Sequence, residues 1–360
     1  MPSRRSLLLA LAALAAPAVR AAVSYPPVLP RALVFPQDFG AHPDFRTEWW
    51  YLTGWLGGPS QPLGFQLTFF RSRTDVDPAN PSAFAAHQLV IAHAAIADPA
   101  RGSLLVDERI ARAGFGLAEA ARGDTDVKLS GWSLRRDPDT DVYHARIAAR
   151  EFSLDFTAAA LTAPWLQGAA GLSHKGPDPL QASHYYSRPQ LKVQARLERG
   201  GLPQALSGIA WLDHEWSSAA LAADAAGWDW IGMNLDDGSA LAAFQIRSQQ
   251  AGQPPVQTYA AIRAANGAVQ LIPPGQVSFT PLRYWRSSRR RATWPVAQRI
   301  TIGTREFETR PLMDDQELDS SLTTGAVYWE GASQLLEAGR PVGRGYLEMT
   351  GYPKGVRFIL

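Results

Sequence analysis

Trp211-Leu212-Asp213-His214-Glu215-Trp216-Ser217-Ser218 packs an acid, an imidazole, a second acid and an indole into four consecutive positions. An extended chain points successive side chains to opposite faces, so His214 and Trp216 share one face while Asp213 and Glu215 share the other. A titratable group beside a flat apolar wall is what a buried proton-transfer site needs. Further on, Trp228-Asp229-Trp230-Ile231-Gly232-Met233-Asn234 has the same period and offers two more indoles on one face. The two segments are expected to pair.

The same alternation recurs outward from this stretch. β-rich runs bounded by Gly, Pro, Asp or Asn cover Thr47 to Trp55, Leu63 to Arg71, His87 to Ala97, Val127 to Leu134, Val142 to Ala148, Phe152 to Phe156 and Leu191 to Leu197. After Gly200-Gly201 the pattern resumes, with hairpin signals at Asp236-Asp237-Gly238 and Asn266-Gly267. Later strands are expected at Gln298 to Thr304, Ala326 to Glu330 and Gly345 to Thr350, and a short helix around Asp314 to Leu322. The fold class is all-β: two consecutive antiparallel barrels or sandwiches, residues 23–200 and 201–360.

Residues 1–22 stand apart. Arg4 and Arg5 precede an apolar run from Leu7 to Val19, too short to anchor in a bilayer, and Val19-Arg20-Ala21 suits a processing site. Ser3-Arg4-Arg5-Ser6-Leu7-Leu8 reads as a twin-arginine export signal, cleaved near Ala21, so a periplasmic or secreted protein is expected. The chain has no cysteine, which excludes disulfides, thiolate metal sites and cysteine nucleophiles. A formal charge of +2 gives no electrostatic footprint for nucleic acid. The one basic run, Arg286 to Arg291, could touch phosphate or anionic lipid, but reads better as a solvated loop.

Twelve tryptophans are many for this length, and they cluster with acids and histidines. Indoles usually fill cores, where the ring buries a large area and the N–H needs one partner. In Glu48-Trp49-Trp50-Tyr51, however, an acid sits directly beside two indoles, and strand geometry places Glu48 with Trp50 and Trp49 with Tyr51. Glu48 is therefore a second candidate acid. His87 and His93 fall on one face of a strand-like run with Leu89 and Ile91, a pattern that also suits a core with satisfied imidazoles. Gly171 to Gly176 and Ala182-Ser183-His184-Tyr185-Tyr186-Ser187-Arg188-Pro189 lack a period and read as a long ordered loop able to cap a cleft between the domains.

In that order, Glu48-Trp49-Trp50-Tyr51, the His93 strand, Ser183-His184-Tyr185-Tyr186-Ser187, Asp213-His214-Glu215-Trp216 and Trp228-Asp229-Trp230 resemble the AttH-like family of exported bacterial proteins, often labelled predicted secreted hydrolases. That family is similar to the carotenoid 1,2-hydratases. The resemblance implies two lipocalin-like (calycin) barrels, a site near their junction and a hydrophobic, lipid- or isoprenoid-like ligand. It also suggests work alongside an ABC-type membrane permease.

His214 and Trp216 match a His-x-Trp element of the hydratases. The hydratases' Tyr-x-Asp has no counterpart, because the stretch after Asp237-Gly238 is Ser239-Ala240-Leu241-Ala242-Ala243-Phe244-Gln245-Ile246. Hydrating an alkene needs a carboxylic acid to protonate carbon and an aromatic face for the resulting cation, so Asp213, Glu215, Glu48 or Asp229 would have to supply the acid. For a hydrolase, His214 could activate water or Ser217, with Asp213 or Glu48 orienting it. Neither a G-x-S-x-G elbow nor an H-E-x-x-H motif is present. His93, His184 and His214 could hold a metal in principle, but their spacing is not that of a metal site, and neither metal nor cofactor is expected. The expected catalytic set is His214, Asp213, Glu215 and Glu48. Trp216, Trp228, Trp230, Trp50, Tyr51, His93, His184, Tyr185 and Tyr186 would shape the ligand pocket. A non-catalytic carrier and a structural brace between two barrels are the competing readings.

Overall fold

The computed structural model describes residues 23–219 and 221–353, so the expected export signal lies outside the described residues. Two antiparallel sheets account for the fold. The first holds β1 (Thr47–Leu56), β2 (Leu63–Arg73), β3 (Gln88–Asp98), β4 (Ser103–Arg112), β5 (Ala118–Ala120), β6 (Asp126–Leu129), β7 (Trp132–Asp137), β8 (Val142–Ala148), β9 (Phe152–Ala159), β10 (Trp165–Leu166), β11 (Leu172–His174), β12 (Ala182–Arg199) and β13 (Leu202–Ser217). The second holds β14 (Ala225–Leu235), β15 (Ala240–Ser248), β16 (Gln257–Arg263), β17 (Val269–Ile272), β18 (Val277–Arg286), β19 (Thr293–Ile302), β20 (Arg305–Pro311), β21 (Glu317–Ser320), β22 (Ala326–Glu337) and β23 (Arg340–Thr350).

Spatial order in the first sheet is β4-β3-β2-β1-β13-β12-β9-β8-β7-β6-β5, and its ends curl together so that β3 and β4 meet β5 and β6. The second runs β17-β16-β15-β14-β23-β22-β20-β19-β18 and closes where β15 and β16 meet β18. Local chemistry sets the hairpins. Ser130 and Gly131, between β6 and β7, have φ of 48° and 88°, and Gly200 and Gly201, between β12 and β13, have 58° and 77°. Two consecutive residues with positive φ match the twist of the flanking strands.

Period-two alternation gathers most of the buried apolar residues into three large cores, with two smaller clusters beside them. One side of the first sheet encloses Trp50, Leu52, Phe65, Phe69, Trp132 and Tyr143 among others, and one side of the second encloses Trp294, Phe307, Trp329 and Leu347. Each such side chain contributes about 1.5–3 kcal/mol relative to exposure. The opposite faces of β1, β13, β14, β15, β22 and β23 meet each other through Tyr51, Trp55, Trp211, Trp230, Phe244 and Tyr346. The barrels are thus joined by sheet faces. Trp55 Nε1 donates across this seam to the Gly345 carbonyl at 2.9 Å.

Four expectations are corrected. Gly200-Gly201 is a hairpin turn inside the first barrel, so the passage to the second barrel falls between Ser217 and Ala225. Trp211–Ser217 pairs with β1 and β12, not with the Trp228 segment, which pairs with β15 and β23. The two segments face each other across the seam, with Trp211 and Trp230 edge to face at 6.2 Å. The supposed long loop is mostly strand, since β12 begins at Ala182 and continues for 18 residues. Asp314 to Leu322 contains β21 rather than a helix.

Candidate functional site

The pleat of β1, β12 and β13 separates the sequence candidates into two neighbourhoods. Trp50, His184, Tyr186, His214 and Trp216 project to the side of the first barrel closed by the segment 33–45. Tyr51, Tyr185, Asp213 and Glu215 project to the seam, where they line a cavity of about 1090 Å³ with Trp228 and Trp230.

The first neighbourhood is a chain of charges. Glu48 is fully buried. Its Oε1 accepts from His42 Nδ1 at 2.7 Å and His214 Nε2 at 2.9 Å, and its Oε2 from Arg71 Nε at 2.8 Å and the His42 backbone N–H at 2.9 Å. His42 Nε2 meets Asp38 Oδ1 at 2.9 Å, and Arg31 holds Asp38 in a two-pronged pair. Both nitrogens of His42 therefore face carboxylates. Burial alone would lower its pKa, yet the hydrogen bonds to Asp38 and Glu48 outweigh burial and raise it, which favours the imidazolium. Burial likewise acts to raise Glu48, and Arg71 with the two imidazoles overrides this, holding the carboxyl well below the usual range.

His214 donates through Nε2, leaving Nδ1 to accept from Tyr186 Oη at 3.0 Å. Burial lowers its pKa and keeps it neutral. Trp216 stacks on His42 with ring centroids 3.7 Å apart, and Trp50 stacks on His214 at 4.6 Å. One atom each of His42, Glu48 and His214 lie within 4.8 Å of one another, a spacing that would suit a divalent ion only if both imidazoles gave up the N–H protons they donate to Glu48, with Asp38 and Tyr186 fixing the outer nitrogens. His93, His184 and His214, which the sequence allowed as ligands only in principle, are not brought together. His93 lies at the seam, 3.1 Å from Thr323 Oγ1, and burial lowers it to about 3; His184 packs on Phe45 and Trp216.

The cavity is different in kind. Asp213 accepts from Tyr185 Oη and Trp211 Nε1, both at 2.7 Å, and from Ser187. Burial pushes its carboxyl up to about 7 against those bonds. Glu215 is paired with Lys175 at 2.9 Å and bonded by Ser183. Across the cavity stand two acids from the second barrel, Glu330 and Glu348. Tyr51 Oη donates to Glu330 at 2.6 Å and Trp228 Nε1 to Glu348 at 2.9 Å. Burial raises both, Glu330 to about 7, and Glu348 further because the Glu330 charge lies beside it. Carboxyls that titrate near neutrality, set among phenols and indoles, can give or take a proton from a molecule held between the barrels. Glu48 and Arg71 also touch the cavity wall, with their charged ends committed to each other.

Sequence reasoning missed His42, Asp38 and Arg71 in one neighbourhood and Glu330, Glu348 and Lys175 in the other. Glu330 and Glu348 carried a signal: each is a lone acid two residues after a tyrosine on a period-two face, Tyr328-Glu330-Ala332 and Tyr346-Glu348-Thr350. His42 carried none, because its segment has no regular period.

A family model described as AttH-like matches residues 26–352. The chain belongs to the AttH-like family. A crystal structure of an AttH-like protein from Nitrosomonas europaea is 52% identical, covers 91% of this chain and 99% of its own, and superposes with a TM-score of 0.84. Kievitone hydratase from Nectria haematococca is 16% identical over 89% of this chain and 93% of its own, with a TM-score of 0.67. CghA is 12% identical over 91% and 96%, at 0.57. These last two share the fold with the AttH-like chain, that of two packed lipocalin-like barrels. A search of curated proteins finds no sequence match.

Proposed function

We propose that this AttH-like protein acts outside the cytoplasm and binds a hydrophobic, lipid- or isoprenoid-like small molecule between its barrels, on which it performs acid–base chemistry of the hydrolase or hydratase kind. The observation that carries this is the cavity of about 1090 Å³, with Asp213 among the indoles and phenols of Trp228, Trp230, Tyr51 and Tyr185. Its size is that of a drug- or lipid-sized ligand site, with few polar groups among apolar walls. Fold likeness to a hydratase is in keeping with adding or removing water.

The acid–base role expected of His214 passes to Asp213. His214 lies on the other face of β13, fully buried, with both nitrogens bonded to Glu48 and Tyr186. Asp213 has a carboxyl poised near neutrality and a phenol hydrogen-bonded to it, within the cavity. A second reading, a non-catalytic carrier that hands its ligand to an ABC-type permease, is favoured by one observation. Of the strand that would carry a hydratase's Tyr-x-Asp, only Phe244 and Ile246 line the cavity, beside the small Ala240 and Ala242 in the seam.

The test starts from protein recovered from the periplasmic fraction, whose bound molecules are extracted and identified by mass spectrometry. Offered the same molecule again, an enzyme converts it, and Asp213→Asn lowers the rate by a factor of about 10²–10⁴ while binding persists. A carrier returns it unchanged in both forms. Recovery of no hydrophobic molecule, together with no binding of lipids or isoprenoid alcohols, would contradict both readings.

A further inference from the structure

Glu330 and Glu348 are direct cross-strand partners on β22 and β23. In an antiparallel pair their Cβ atoms lie about 4.5–5.5 Å apart, a spacing at which two like charges repel. Among the described residues neither carboxylate makes an ion pair, although the structure pairs most of its other buried acids with arginine, lysine or histidine. Tyr51 from β1 and Trp228 from β14 donate to Glu330 and Glu348; Tyr185 and Asp213 are bonded to each other; Lys175 is held by Glu215, and Arg71 by Glu48. Among the described residues, both cations that border the cavity, Lys175 and Arg71, are thus engaged with other carboxylates.

The cavity also contains an example of what its walls hold. Lys175 Nζ lies 4.9 Å from the Tyr185 ring centroid and 4.5 Å from that of Phe244, with Glu215 as its counter-ion. An ammonium between aromatic faces and beside a carboxylate is a stable arrangement, since the ring quadrupole and the carboxylate both favour positive charge. The Glu330–Glu348 end offers the same chemistry twice over, two carboxylates with the rings of Tyr51, Trp228 and Tyr328 around them.

We infer that the molecule taken up is a cationic amphiphile, whose protonated amine or quaternary ammonium head sits at Glu330 and Glu348 while its apolar body lies along Trp230, Phe244 and Ile246. This rests on the cavity being the ligand site. A bound cation relieves the repulsion between the two carboxylates and displaces the proton that burial and mutual repulsion keep on the pair. Binding therefore tightens as pH rises through neutrality and releases a proton to solvent.

The experiment uses the full mature chain and three probes of one tail length, dodecyltrimethylammonium, dodecanol and dodecyl sulfate, each below its micelle concentration and followed by tryptophan fluorescence. The cation is expected to bind about tenfold more tightly than the alcohol, in keeping with a carboxylate plus aromatic-face contact, and the sulfate more weakly than either. Glu330→Gln and Glu348→Gln should each erase the preference while leaving dodecanol affinity within about twofold, which shows that the cavity is still formed. Cation and alcohol binding equally, or sulfate binding best, would overturn the inference and leave the cavity as a ligand site. If none of the three binds, the cavity reading falls with it.

Discussion

Asp213 and His214 are consecutive, yet the pleat sends them to different environments. Asp213 enters a cavity where burial holds its carboxyl near 7, and His214 enters a sealed network in which Glu48 and Tyr186 occupy both ring nitrogens. The two have separable consequences on mutation. Glu48→Ala would strand the His42 and Arg71 charges without their common partner, a loss of about 3–5 kcal/mol by analogy with other buried pairs, measurable by denaturant titration. Because Glu48 titrates below its ordinary value of 4.5 in the folded protein, its stabilisation is complete above that value and is lost as pH falls. The stability difference between wild type and Glu48→Ala should accordingly narrow on acidification below pH 4.5; a difference that stays constant or widens would contradict the charge assignment. The residue-level division was legible in the sequence as far as strand alternation reaches, since His214 with Trp216 and Asp213 with Glu215 do occupy opposite faces. Which face meets the ligand was not legible, because that depends on a second sheet whose strands run from Ala225 to Thr350.

At the scale of elements, the alternating runs were visible as strands at Thr47, Leu63, Val142, Phe152 and Ala326. Their partners were not. The Trp211 and Trp228 segments look alike because both set indoles close to acids, yet their strands share no hydrogen bonds and meet only where Trp211 packs on Trp230 across the seam. The long β12 begins inside a polar, aromatic stretch because both of its faces are covered, one by the first barrel's interior and the other by the cavity, so hydropathy does not alternate there. Close approach of the two sheets depends on small residues. A Cβ on Gly64 of β2 would lie 2.5 Å from the Ala332 Cβ and 2.8 Å from the Tyr346 hydroxyl. Gly64→Val is therefore expected to cost about 1–3 kcal/mol through overpacking and to loosen the seam, read as a lower melting temperature and faster proteolysis between Ser217 and Ala225. Unchanged melting and proteolysis would mean that the seam does not depend on this contact.

For the whole molecule, composition and alternation were enough to indicate an all-β chain in two barrels, and the family's motifs agreed. What composition could not convey is that the barrels meet by their faces, leaving acids from both at one cavity: Asp213 and Glu215 from the first, Glu330 and Glu348 from the second. Neither barrel alone has the site, which gives a physical reason for a tandem rather than a single barrel. The claim that this seam is where the ligand goes is open to a direct measurement: photolabelling of the folded protein with a diazirine-bearing long-chain alcohol, followed by mass spectrometry of the labelled peptides. The account predicts that label is concentrated on residues 221–230 and 244–249 and around Tyr328, and that it is displaced by excess unlabelled alcohol. Label confined to the outer surfaces, or found chiefly around His42, His214 and Trp216 inside the first barrel, would contradict it.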